Sequence, residues 1–113
     1  MDLLVILFGV TALGGAFLGT LRMRKTAFPV FISFGHGALA ALCVTLLLLQ
    51  VINYEVNIFI KLSALLFLCA AMGGLFAVSF HLRGKDLPRG ILFSHAGLAI
   101  VAFLFLITGH YFI

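Results

Sequence analysis

Four long apolar stretches separated by short polar breaks organise the chain: roughly Leu3–Leu21, Val30–Leu49, Leu62–Phe80 and Ile91–Gly109. Each is close to the roughly 20 residues that a helix needs to cross a hydrocarbon layer about 30 Å thick. The breaks are short, as expected of antiparallel neighbours. The pattern predicts an all-α integral membrane protein, a four-transmembrane-helix up-and-down bundle forming a single domain over residues 1–113.

The bundle reads as two helix hairpins. At an offset of 59, residues 14–43 (GGAFLGTLRMRKTAFPVFISFGHGALAALC) fall without a gap on 73–102 (GGLFAVSFHLRGKDLPRGILFSHAGLAIVA). Ten of these thirty positions are identical, against about three expected from so apolar a composition. The shared residues are Gly14/Gly73, Gly15/Gly74, Phe17/Phe76, Arg24/Arg83, Pro29/Pro88, Ile32/Ile91, Phe34/Phe93, His36/His95, Leu39/Leu98 and Ala40/Ala99. Repeat 1 covers about 1–54 and repeat 2 about 60–113. Two spans per repeat is an even number, so the copies enter the membrane in the same direction and place His36 and His95 at one depth.

Composition excludes an ordinary soluble domain. The chain is 65% hydrophobic and 9% charged, with mean hydropathy +1.34, whereas soluble domains carry about 25% charged residues. Six of the seven Lys and Arg residues fall in the first and third connections: Arg22, Arg24, Lys25, Arg83, Lys85 and Arg89. The positive-inside rule puts these connections in the cytoplasm and both termini outside, as in a bacterial inner-membrane protein. The basic residues thus read as topology signals and lipid contacts, with no nucleic-acid partner implied. The first stretch has no basic leader before it and recurs as the third span, so it reads as a retained helix rather than a signal peptide.

The duplicated histidines carry the candidate chemistry, because polar residues inside apolar spans are costly and tend to mark sites. Pro29, Ile32, His36 and Leu39 share one helical stripe, and Gly14, Phe17 and Arg24 share another on the preceding helix. Two symmetric imidazoles facing an axis suit the bis-histidine ligation of a flat macrocycle. Without a cysteine pair suited to covalent attachment, the cofactor would be haem b. His36 and His95 would ligate the iron, Gly14, Gly15, Gly73 and Gly74 would admit the ring edge, and Phe34 and Phe93, with Phe17 and Phe76, would pack on it. Arg24 and Arg83 would pair with the propionates. The role would be electron transfer, redox sensing or haem handling rather than catalysis. The partners would be the lipid bilayer, a membrane redox protein or quinone, and further copies of the chain.

A plainer reading competes with this one. The histidines could simply hydrogen-bond a backbone carbonyl, or Ser33 and Ser94, across helices in an accessory membrane protein or small channel. Cys43 and Cys69 read as buried small hydrophobes, and Met72 as a weak candidate for a soft-metal site. His81 and His110 read as polar residues near the membrane boundaries, with Tyr54 and Tyr111 as interfacial anchors.

The segment RGKDLPRGILFSHAGLAIV (83–101) resembles small bacterial-type membrane proteins in which a basic Leu-Pro loop precedes a helix opening on His-small-small-Leu-Ala. PVFISFGHGALAAL in the first copy has the same form. More distantly, the arrangement looks like the b-type di-haem membrane cytochromes, which hold haem by histidine pairs. This chain has one intramembrane pair, so the resemblance implies one haem. GGAFLGTLR is similar to the opening of small fluoride channels, whose later Asn-containing and Phe/Thr-rich pore segments are absent. The three acids, Asp2, Glu55 and Asp86, lie in termini or connections, which disfavours a proton-driven antiporter.

Overall fold

Saturation of the backbone within each apolar stretch shapes the molecule. In the computed structural model, which describes residues 1–113, 78 of 90 backbone hydrogen bonds lie within helices. The rest are mainly in turns and helix ends, so each segment satisfies its own polar groups, as an apolar surround requires. The helices are α1 (Asp2–Met23), α2 (Val30–Asn53), α3 (Ile58–Leu82) and α4 (Arg89–Ile107), which ends in a π-helical turn over Thr108–Phe112. All four are long and apolar enough to cross a membrane. The molecule measures 44 × 22 × 19 Å. Each helix packs beside its chain neighbours and α1 also meets α4, while the diagonal pairs α1/α3 and α2/α4 stay apart along their backbones.

The duplication extends to backbone detail. α1 and α3 both end in a left-handed residue, Lys25 at φ 52° and Gly84 at φ 66°, 59 positions apart. The amide after each bonds back across the last turn: Thr26 N–H to Leu21 O at 2.9 Å, and Lys85 N–H to Phe80 O at 2.8 Å. This is the six-to-one bond of a Schellman stop. Glycine meets that conformation without strain, whereas Lys25 bears its steric cost. Pro29 and Pro88 then stand as N-caps in extended conformation, one residue ahead of the first helical position where proline is most favoured. Lys25 Nζ lies 3.8 Å from Asp86, so both basic connections sit at one end of the bundle, hereafter the basic end.

Packing is uneven along the bundle axis. Every buried residue lies towards the terminal end: Leu4, Val5, Phe8 and Thr11 of α1, Cys43, Val44 and Leu47 of α2, five residues of α3 between Ile60 and Ala70, and Ala102, Leu106 and Gly109 of the last helix. Phe8 and Phe67 stack there with ring centres 4.0 Å apart. Ser63 donates a 2.7 Å hydrogen bond to Ala102 O, joining α3 to α4. Asn57 both caps α3, accepting from Ile60 N–H at 3.2 Å, and donates to Gly109 O at 2.8 Å. Gly109 is needed for this approach, because a Cβ there would stand 2.7 Å from Ile60 Cγ1. Asp2 accepts from His110 at 2.7 Å and from Tyr111 at 2.9 Å, tying the two chain ends together. Towards the basic end no residue is fully buried, and the four helices enclose space instead of a core.

Candidate functional site

The space lies where the duplicated residues meet. His36 on α2 and His95 on α4 reach inward from diagonal helices, with ring centres 6.4 Å apart and planes at 87°. Each ring rests on a glycine of the preceding helix. A Cβ on Gly15 would stand 2.9 Å from His36 Cε1, and one on Gly74 would stand 3.0 Å from His95 Cε1. Gly14 and Gly73 are set back, a Cβ there standing 3.7 Å from His36 Nδ1 and 3.8 Å from His95 Nδ1. The pairs Gly14-Gly15 and Gly73-Gly74 therefore form two matching cradles, in which the second glycine bears the close contact.

The two imidazoles differ in their hydrogen bonds. His95 Nδ1–H donates to Ala70 O at 2.7 Å, which fixes the tautomer with Nε2 as an acceptor. The matching carbonyl in the first repeat is that of Thr11, 59 residues earlier. Thr11 O stands at the corresponding place beside His36, but His36 Nδ1, which is buried, makes no well-formed hydrogen bond like the one His95 makes to Ala70 O.

A cleft of about 530 Å³ adjoins both rings, within the size range of small-molecule and cofactor sites. Its wall is mostly apolar and small, including Gly37, Ala38, Ala41 and Ala71, with Arg22 at the basic end. Of the residues singled out from the sequence, His36, His95, Gly15, Gly74 and Phe34 line the cleft. Phe93, Phe17 and Phe76 are more than half exposed and are not among the residues lining it. Outward Phe positions are what a lipid-facing surface accepts. Arg24 is an exposed helix cap, and Arg83 folds back on its own helix, donating from Nε to Ser79 O at 3.1 Å. Met72 is also turned outward, 71% exposed.

Other polar residues are accounted for locally. Ser33 pairs with His81 Nδ1 at 3.4 Å rather than with His36, while His81 Nε2–H donates to Phe28 O at 3.2 Å. Ser94 is exposed. Cys43 is fully buried beside Thr11, whereas Cys69, expected inside, is exposed; both are free thiols. No group of three or more His, Cys, Asp or Glu side chains is placed to hold a metal ion by itself.

Arg22 is the site residue that repeat analysis missed. Its counterpart is His81, so it is absent from the identical positions, yet its guanidinium lies 5.1 Å from the centre of the Phe28 ring and lines the cleft. Its place in the last turn of α1, one turn beyond Leu18 and Gly19, was the available signal. Protein-family models, curated proteins and solved structures were compared with the chain, and none matches it.

Proposed function

We propose that the chain is an integral membrane protein with its basic end in the cytoplasm, binding one haem b between His36 and His95 and passing single electrons. The observation that carries this reading is the imidazole pair: two rings from diagonal helices, 6.4 Å apart at their centres, each on a glycine cradle. His36 and His95 would be the two protein residues to hold the iron, one from each repeat. A porphyrin brings four nitrogens of its own, so two protein ligands suffice where no larger ligand cluster exists.

The surroundings support a ligand role over packing alone. The Ala70 carbonyl orients His95 as an outer-shell partner orients a metal-bound imidazole, leaving Nε2 with its lone pair. A bound haem would supply a reversible one-electron couple, and with His36 and His95 both holding it the chemistry on offer would be electron transfer rather than oxygen activation. The redox partner would be a membrane protein or quinone reaching the bundle from the bilayer.

The test is the reduced-minus-oxidised spectrum of detergent-purified protein produced with haem available. A low-spin b-type spectrum is expected in the wild type. His36→Ala or His95→Ala should abolish it or convert it to high spin, while His110→Ala, at the opposite end, leaves it intact. Folded protein that stays colourless, or a haem spectrum indifferent to both alanines, refutes the assignment in favour of histidines that only pack.

A further inference from the structure

The cleft meets a second, charged cavity, and the junction has a chemistry of its own. A cup of about 480 Å³ lies between the two basic connections, lined by Arg22, Lys25, Lys85 and Arg89 with Asp86 as its one acid. Lys25 and Asp86 form a long ion pair, and both are largely exposed, so the pair is weakly held. The cup and the cleft share Arg22, Phe28, Leu87 and Leu92. They therefore adjoin, an apolar lower chamber beside a basic upper one, with Arg22 on the wall of both.

The flanks of the lower chamber are unequal. Between α1 and α4, Leu92 Cδ1 comes within 3.5 Å of a Cβ on Gly19, and no lining residue of these two helices is exposed. At the matching register between α2 and α3 stand Ser33 and Val78, and Ser33 is engaged with His81. There the lining residues Phe34, Ala38, Ala41 and Leu75 are exposed, so the chamber opens sideways. A molecule fitting both chambers has an apolar body reachable from a lipid leaflet and acid groups at one edge.

We infer that Arg22 is the acid anchor of the site: it binds the propionate edge of the haem, with Lys25 and Arg89 supplying further positive charge in the cup. This rests on the haem reading above. Arg24 and Arg83, the duplicated pair, line neither chamber. Phe28 holds the guanidinium of Arg22 at the junction by a cation–π contact, which limits the freedom lost on binding a carboxylate. A charge-assisted contact formed where water is partly excluded is stronger than one at an open surface.

Three porphyrins separate the acid anchor from iron ligation: haem, its dimethyl ester with both propionates capped, and metal-free protoporphyrin IX. Each is titrated into the detergent-purified wild type, Arg22→Gln and Arg24→Gln, with thermal unfolding as a check of the fold. Arg22→Gln should weaken haem and protoporphyrin IX about tenfold or more while leaving the dimethyl ester unchanged, and Arg24→Gln should leave all three unchanged. Equal weakening of all three by Arg22→Gln overturns the anchor, as does an effect of Arg24→Gln that Arg22→Gln lacks. If protoporphyrin IX binds in an Arg22-dependent way but haem shows no histidine ligation, the haem assignment fails and the acid anchor stands. If none of the three binds the folded wild type, both fall.

Discussion

Replacing the cradle glycines by alanine tests the site at its tightest contacts. The new Cβ would stand 2.9 Å from His36 Cε1 in Gly15→Ala and 3.0 Å from His95 Cε1 in Gly74→Ala, where ordinary contact begins at 3.4 Å. Each ring must therefore retreat by about 0.5 Å or turn aside, and overpacking of this kind costs about 1–3 kcal/mol when neighbours cannot yield. The two rings differ in their freedom to yield. His36 has no well-formed Nδ1 hydrogen bond to lose, so Gly15→Ala should cost the unliganded fold less than about 1 kcal/mol. His95 is pinned to Ala70 O, so Gly74→Ala should also forfeit about 0.5–1.5 kcal/mol of hydrogen bonding. When haem fixes both rings neither can turn aside, and strain of about 1–3 kcal/mol lowers affinity roughly 5- to 150-fold in both variants. Thermal unfolding in detergent measures the first quantity and haem titration the second. Gly14→Ala and Gly73→Ala, with ordinary 3.7 Å contacts, are the matched controls and should change affinity little. The reasoning is refuted if Gly14→Ala harms binding as much as Gly15→Ala, or if Gly15→Ala destabilises the unliganded fold more than Gly74→Ala.

Two further outcomes test the frame around the site. Leu47 and Leu106 are fully buried at the terminal end, so Leu47→Ala or Leu106→Ala should destabilise the folded bundle by about 2–4 kcal/mol. Leu13→Ala, at a position 75% exposed, should stay within about 0.5 kcal/mol, and equal losses at buried and exposed positions would contradict the packed-end description. In a background with Cys43 and Cys69 replaced, Asn53→Cys should be labelled by an impermeant thiol reagent from outside intact cells and Lys85→Cys should not, given the six-to-one bias of basic residues. Labelling of Lys85→Cys alone would invert the proposed orientation.

The number and order of the helices were legible in the chain because each apolar stretch must satisfy its backbone internally, but α2 runs on to Asn53 and α3 starts already at Ile58, four residues beyond the apolar limits at Leu49 and Leu62. The duplication was legible as well, and it pointed to His36, His95, Gly15 and Gly74, because a repeat preserves helical register. Repetition alone could not say which shared residues face inward. Phe17, Phe76 and Phe93 are shared but outward-facing, since an apolar surround accepts phenylalanine as readily as a core does. Nor could it mark Arg22, whose importance depends on where the two halves of the bundle differ: Arg22 against His81, and Leu92 on Gly19 against Ser33 beside Val78. Tertiary packing decided those differences. It closed one flank with Leu92, left the other open, and gathered the buried residues at the terminal end, so that a cleft stands beside the histidines. The sequence determined which residues share a depth and a register; only the packing of four helices around one axis decided which of them face a common space.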